Sequence, residues 1–445
     1  MKILHLEMVG LNPFEGHSLK LDLFARDQVR DAGPGNGLMH IGDKKSSIYS
    51  QNVVCITGIN ASGKTTSLRA LDFVTNVLNG NIGKYYGSYR QSDLLAFESE
   101  ISLSVIFALN NDFYLLESKL SRITEDDEGD ADIDSDALQP FVFTQETMWR
   151  FNKTQPHKAQ LSDPGMFRDN ASIVKLRIPL SQKEQYNLQT SRDLEDECFL
   201  TDESVQFLSP QASISNAFTI GDQRLKALNS PDTETPDIVP TRFSVLFPAS
   251  VDWRPMSSIA NPILHVFDDS IEYFTTDEQK KVHVKFSDSD KEMVMSRRYG
   301  SALLSSGTKR GALLVTQSIR TLRTGGYLFV DEIENSINKE LVHMIVNLFV
   351  AKKTNPKGAT LVFSTHYPEL LDIINRKDNI YILRRSATSN RVQTVNYTDE
   401  VKRGELKRSE VFLSNYIGGT APKATELTEI LRYVALRVRG AAHDE

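Results

Sequence analysis

The sequence predicts an α/β protein with a mostly parallel core sheet, an N-terminal antiparallel β-subdomain and a mixed or helical insertion. Three observations carry that class. Val53-Val54-Cys55-Ile56-Thr57, Tyr327-Leu328-Phe329-Val330 and Leu361-Val362-Phe363 are short continuous apolar runs, the pattern of strands buried on both faces. Helical periodicity follows the first two, and strands alternating with helices build a parallel sheet covered on both sides. The N-terminus behaves differently. Leu4, Leu6 and Met8 alternate with His5 and Glu7, as strands with one wet face do.

In chain order, the alternation returns over His17 to Leu23, so two strands joined through Gly10-Leu11-Asn12-Pro13 are expected. Residues 27–51 are polar and glycine-rich and read as a loop. A helix is expected from Thr65 to about Leu78, and a strand pair over Glu100 to Leu120 around Asn110-Asn111-Asp112. The acidic run from Glu125 to Asp136 reads as a solvated loop, because Ser135 and Phe141 stand where a calcium loop needs glycine and glutamate. Residues 140–290 carry prolines and Ser/Thr/Asp clusters and no sustained heptads. Trp149, Trp253 and Phe267 there read as core anchors. Beyond them the pattern predicts strand 327–330, helix 338–351, strand 359–364, helix 367–375 and strand 379–384.

The chain has 445 residues and 50.1 kDa, enough for two to three units at ~100–200 residues each, or one large domain with an insertion. We divide it into an N-terminal lobe (1–139), an insertion (140–290), a C-terminal lobe (291–395) and an extension (396–445). Hydrophobic residues at 40% and charged residues at 24% exclude wholesale disorder. A net charge of −7 excludes a uniformly basic nucleic-acid binder. Two cysteines, Cys55 and Cys198, make neither a disulfide framework nor a CxxC metal site, and suit a reducing cytosol. No apolar run reaches the ~18–20 residues that span a bilayer. A cytoplasmic protein without a membrane partner is expected, its first residues a strand and not a targeting segment.

Four motifs carry chemistry. Gly58-Ile59-Asn60-Ala61-Ser62-Gly63-Lys64-Thr65, followed by Thr66, fits GxxxxGK[ST] between a strand and a helix, the context of a phosphate-binding loop. Its backbone N–H groups and helix N-terminus suit phosphate, Lys64 reaches β- and γ-phosphates, and Thr65 offers a hydroxyl to Mg²⁺. Asp331 and Glu332 end a buried strand, where ligands of parallel sheets bind. Asp331 would hold Mg²⁺, and Glu332 would orient or deprotonate the attacking water. Ser305-Ser306-Gly307 precedes a helix expected to start near Lys309, an anion-type turn. Ser364-Thr365-His366 ends another buried strand, where His366 could reach the γ-phosphate and the water.

In this order the four motifs resemble those of ABC-class ATPases. The GINASGKTT and DEIENS wording resembles the branch of RecF, SMC and Rad50 and the ATPase half of OLD-family nucleases. The ATPase motifs cover roughly residues 1–120 and 290–390, and the run from Ser409 to Gly419 is similar to the tails of stand-alone members. The resemblance implies an ABC-type P-loop ATPase using ATP and Mg²⁺. It implies that Ser305, Ser306 and Gly307 contact the γ-phosphate bound to the other protomer. Asn335, Ser336, Ile337 and Asn338 would form the loop crossing the interface, and Gln91 is the candidate Q-loop glutamine and metal contact. Two chains would sandwich two ATP molecules, giving a homodimer or a higher even-numbered homo-oligomer. Ser306 and Thr308 stand where transporters carry Gly and Gln, which argues against transport.

No TOPRIM-type Glu plus Asp-x-Asp pattern follows His366. The stand-alone members resemble ATPase subunits of bacterial anti-phage systems of the Septu, PARIS and AbiL types. The leading expectation is therefore a sensor or scaffold subunit that controls a separate nuclease or toxin effector and responds to DNA or a phage-derived trigger. The alternative is a RecF-like repair clamp that binds DNA with ATP, using residues such as Arg297, Arg298, Lys309, Arg310, Lys402, Arg403, Lys407 and Arg408 against phosphate.

Overall fold

A computed structural model describes residues 1–30, 35–78, 97–109, 111–122, 141–177, 199–200, 244–247, 258–386, 389, 391–401, 407–414, 416–418 and 424–441. Its centre is a six-stranded sheet in the order Ser244–Phe247, Tyr327–Val330, Thr360–Thr365, Val53–Gly58, Ile380–Arg385, Val392–Asn396. The first five strands are parallel and the last is antiparallel.

The continuous apolar strands have two faces, and alternate residues serve different cores. Val54, Ile56, Tyr327, Phe329, Val362, Tyr381 and Leu383 join the helix Lys64–Leu78 and the N-terminal sheet. Val53, Cys55, Leu328, Val330, Leu361, Phe363, Ile380 and Ile382 join the helices Ser306–Thr324 and Lys339–Val350 on the other side. That division explains why every position of these runs is apolar.

The N-terminal sheet has seven strands, in the order Phe199–Leu200, Ala171–Arg177, Phe141–Phe151, Asp112–Arg122, Phe97–Leu109, Lys2–Leu11, Ser18–Asp22. It is antiparallel apart from its outermost pair. Two buried tyrosines of the parallel sheet dock it. Tyr327 Oη accepts from Ile3 N–H at 2.7 Å, and Tyr381 Oη accepts from Asp22 N–H at 2.7 Å and donates to Asp22 O at 3.0 Å.

The stretch 27–51 holds more order than its composition suggests. Leu38–Ile41 pairs with Ile48–Gln51 as a hairpin, stitched on by Gln51 N–H to Leu23 O. The segment expected as a helix at 367–375 is a 3-10 turn, Pro368–Ile373. The described residues of the stretch 140–290 contribute to several sheets. Phe141–Phe151 and Ala171–Arg177 extend the N-terminal sheet, and Ser244–Phe247 forms the edge of the parallel sheet. Ser258–Ile259, Ile271–Thr276 and Lys281–Phe286 join Glu292–Ser296 in a separate four-stranded sheet. Trp149 is partly buried, with Nε1 donating to Glu117 at 3.0 Å. Phe267 packs on Gly311, where a Cβ would sit 2.0 Å from its ring. Trp253 and the run 125–136 lie outside the described residues. Among the described residues no helix is long and apolar enough to cross a membrane.

Lys2 is buried beneath the sheets. It donates to Gly358 O, to Gly325 O at 3.4 Å and to Thr360 Oγ1 at 3.5 Å, and its ammonium stands 5.5 Å from the Tyr327 ring centroid. Burial lowers its pKa to about 7 from 10.5. Between those values the unfolded chain binds more protons than the folded one, so this lysine makes stability rise with pH across that window. Denaturant titrations at about pH 7 and pH 9.5 are expected to show a smaller gain in Lys2→Met than in the unsubstituted protein. An equal gain in both would refute the assignment.

Candidate functional site

The strand Val53–Gly58 delivers its C-terminal end to a tightly curled loop. A Cβ on Gly58 would lie 2.2 Å from Leu383 O and 2.6 Å from Ser62 Oγ, so the close approach requires glycine. Ala61 and Gly63 are left-handed, with φ 56° and 84°, and such turns make N–H concavities for anions. Lys64 opens the helix Lys64–Leu78 and donates to Gly58 O and Ile59 O, both at 2.8 Å. Burial lowers its pKa to about 8, against Asp331, Glu332 and Glu334, which act to raise it.

Opposite the loop, Asp331 follows the strand Tyr327–Val330. Its carboxylate accepts from Thr65 Oγ1 at 2.8 Å and from Ser364 Oγ at 2.6 Å. Ser364 Oγ in turn accepts the N–H of Glu332 at 2.8 Å. Glu332 has φ 47°, a left-handed backbone costing a non-glycine residue on the order of 1–3 kcal/mol and concentrated at functional sites. His366 Nε2 lies 3.2 Å from Glu332 Oε1, while its backbone N–H donates to buried Glu334 at 2.7 Å. A cavity of about 460 Å³ is lined by Asn60 through Thr66 together with Pro13, Asp331, Glu332 and His366.

The structure therefore brings the P-loop residues, Asp331, Glu332 and His366 to one cavity, Gly58 contributing from its strand end. Ser305, Ser306 and Gly307 are not among the residues lining it. Ser305 caps the helix Ser306–Thr324, accepting Thr308 N–H at 3.0 Å, so the helix starts three residues earlier than Lys309. Both serines are exposed. Gly307 sits on the 332–338 turn, where a Cβ would be 2.5 Å from Ser336 O, and Ser336 has φ 60°. Gln91 lies outside the described residues.

Three contributors were hidden in the sequence. Ser364 gave no sign that its hydroxyl joins Asp331 to Glu332. Glu334, to which the sequence pattern assigns no role, is a buried acceptor. Arg310 was grouped with basic residues facing phosphate, but it is buried and donates to Asp331 O at 2.8 Å and Glu332 O at 2.9 Å. Its guanidinium lies 5.0 Å from the Phe247 ring centroid, and burial pushes its pKa down. Arg408 likewise donates to the carbonyls of Leu371, Ile374 and Asn375.

The donor set fits a magnesium nucleotide. Mg²⁺ usually takes one or two protein oxygens plus phosphate and water, and the Thr65 and Asp331 oxygens are adjacent. Among the described residues, buried Ser62 Oγ has no hydrogen-bond partner, as suits a group that meets a phosphate oxygen.

Strand, phosphate loop, helix and acidic strand end together define a P-loop nucleotide site. Residues 244–372 match the model of the family described as "AAA domain, putative AbiEii toxin, Type IV TA system". That stretch holds Ser305–Gly307, Asp331, Glu332 and His366; the P-loop lies outside it. The match covers less than a third of the chain and agrees with a P-loop nucleotide site. The chain is also similar to a solved structure, the SMC head domain from Thermotoga maritima, at 12% identity over 89% of this chain and 99% of that one, with a TM-score of 0.33. No curated protein matches the sequence.

Two outcomes follow from the geometry. Ser364→Ala is expected to lower the hydrolysis rate about 10–100-fold, because Glu332 loses the anchor that aims it. Its ATP affinity should stay within about threefold, and single-turnover kinetics beside equilibrium binding separates the two. Phosphate beside Lys64 should also raise its pKa again. Binding at about pH 9 would then take up close to one proton and at pH 7 on the order of a tenth of one, so affinity falls as pH rises above about 8. Calorimetry in buffers of different ionisation heat measures that uptake, and pH-independent uptake would contradict the role given to Lys64.

Proposed function

We propose that this protein binds and hydrolyses ATP between two head-to-tail copies and serves as the sensor or scaffold subunit of a bacterial anti-phage complex with a separate nuclease or toxin effector. The carrying observation is the hydrogen-bonded chain Thr65–Asp331–Ser364–Glu332–His366 on one wall of the phosphate-loop cavity. Lys64 and the loop N–H groups hold the phosphates. Thr65 and Asp331 would hold Mg²⁺, which when bound neutralises charge on the phosphate oxygens. Glu332 orients the attacking water and accepts its proton, and His366, within hydrogen-bonding distance of Glu332, fixes the carboxylate and faces the terminal phosphate.

Head-to-tail closure is supported by the position of Ser305 and Ser306, exposed on a helix N-terminus and away from the cavity of their own chain. A second copy can present that terminus to the γ-phosphate. The defence role is supported by the toxin and toxin–antitoxin wording of the matched family. Buried Arg310 and half-buried Arg408 spend their guanidinium hydrogen bonds on carbonyls, which removes two of the cations that a DNA clamp would use.

Glu332→Gln is expected to keep ATP binding, lower hydrolysis by about 10²–10⁴-fold and accumulate an ATP-bound dimer visible by native mass spectrometry. Ser305→Arg in the same background should bind ATP and stay monomeric with respect to that contact. Tagged Glu332→Gln, purified from its native host with ATP and Mg²⁺, should bring down a nuclease or toxin. A dimer carrying only DNA would replace the effector reading with the repair clamp.

A further inference from the structure

Glu334 lies in the turn that follows the strand Tyr327–Val330 and keeps only 7% of its surface. One carboxylate oxygen, Oε1, accepts the backbone N–H of His366 at 2.7 Å. The other, Oε2, is buried and has no hydrogen-bond partner among the described residues. A buried carboxylate answered at one oxygen is costly, and a folded protein that keeps one needs a reason for it. Glu334 is not among the residues lining the nucleotide cavity, so direct contact with a ligand is not that reason.

Its place in the backbone supplies one. The acidic turn is laced to the neighbouring strand Thr360–Thr365 by Ile333 N–H to Ser364 O at 3.1 Å and by Glu332 N–H to Ser364 Oγ at 2.8 Å. Sheet pairing with Val53–Gly58 holds Thr365 against Thr57 and ends there. His366 is the next residue, beyond the ladder, and its N–H goes to Glu334. Its imidazole must still reach Glu332 Oε1, which it does at 3.2 Å. A backbone shift of about 1 Å at position 366 would break that contact, and misplacement of this size can cost on the order of 10²-fold in rate.

We infer that Glu334 is a positioning residue for the hydrolysis proposed above, on which this role rests: by holding the backbone of His366 it sets where the imidazole meets Glu332. The acceptor oxygen matters more than the charge. Glu334 does favour the charged forms of Lys64 and Arg310, whose pKa values burial lowers, but Asp331 and Glu332 act more strongly on both.

Single-turnover hydrolysis by the full chain should fall about tenfold in Glu334→Ala, with ATP affinity held within about threefold. Glu334→Gln keeps an acceptor for the His366 N–H and should restore the rate to within about threefold of the unsubstituted protein. In a His366→Ala background, Glu334→Ala should cost less than about twofold more, because no imidazole remains to be placed. The chain has nine histidines, and with ring-labelled histidine the His366 resonance is the one lost in His366→Ala. Without nucleotide it should move in Glu334→Ala and stay in place in Glu334→Gln. Equal losses in Ala and Gln, losses that multiply in the double variant, or an unmoved His366 resonance would each overturn the inference. An unsubstituted chain that hydrolyses no ATP would refute the hydrolytic reading itself, and the resonance would still decide whether Glu334 places His366.

Discussion

The site depends on one buried carboxylate. Asp331 is nearly inaccessible to solvent, and a buried ionised carboxylate costs several kcal/mol unless its oxygens are answered. Thr65 and Ser364 answer one oxygen each. These hydroxyls belong to different elements, the helix after the P-loop strand and the strand Thr360–Thr365. They meet at Asp331 only because the parallel register holds Val330 against Phe363 and Thr365 against Thr57. A one-residue slip of any of these strands would turn the apolar positions to the wrong core and strip Asp331 of a donor.

The same register accounts for the strained turn that follows. Glu332 cannot relax from its left-handed backbone without losing the bond from its N–H to Ser364 and the bond from Arg310 to its carbonyl. Arg310 lies one turn into the helix that Ser305 caps, and Gly307 of that helix touches Ser336. The helix start, the acidic turn and the cavity wall therefore form one stiff unit. The exposed serines are joined to Glu332 by a short path through the Arg310 guanidinium.

The parallel core was legible because burial on both faces leaves a signature in every residue of a strand. The P-loop and Asp331-Glu332 were legible because their chemistry is local, carried by consecutive residues beside a strand end. What escaped was set by distant partners. Ser364 looks like any polar residue at a strand end until Asp331 is placed beside it. Arg310 has the composition of a surface cation and becomes a buried clamp only when two carbonyls from another element face it. The hairpin Leu38–Ile41 with Ile48–Gln51 is short, and it is held by Leu23 and its neighbours. Ser244–Phe247 could not be assigned to the parallel sheet from its own four residues, since its pairing with Tyr327–Val330 spans a long sequence separation.

Charge makes a last constraint on how the site works. Asp331, Glu332 and Glu334 face Lys64, while the Arg310 guanidinium spends hydrogen bonds on Asp331 and Glu332 carbonyls. With a whole-chain charge of −7, no broad positive field draws a nucleotide in. On the proposed reading, affinity for a triphosphate would come from donors fixed in direction, the curled loop, the helix start and Ser62, which gain strength in a partly dehydrated site. Lys64 would complete that set by exchanging its two carbonyl acceptors for phosphate oxygens. Burial lowers its pKa, and a neighbouring anion would raise it again. A ligand lacking phosphates would leave Lys64 on Gly58 and Ile59 and would use few of these directed donors. For a ligand that carries phosphates, the cation that Thr65 and Asp331 would hold offsets the repulsion between phosphate and the neighbouring carboxylates.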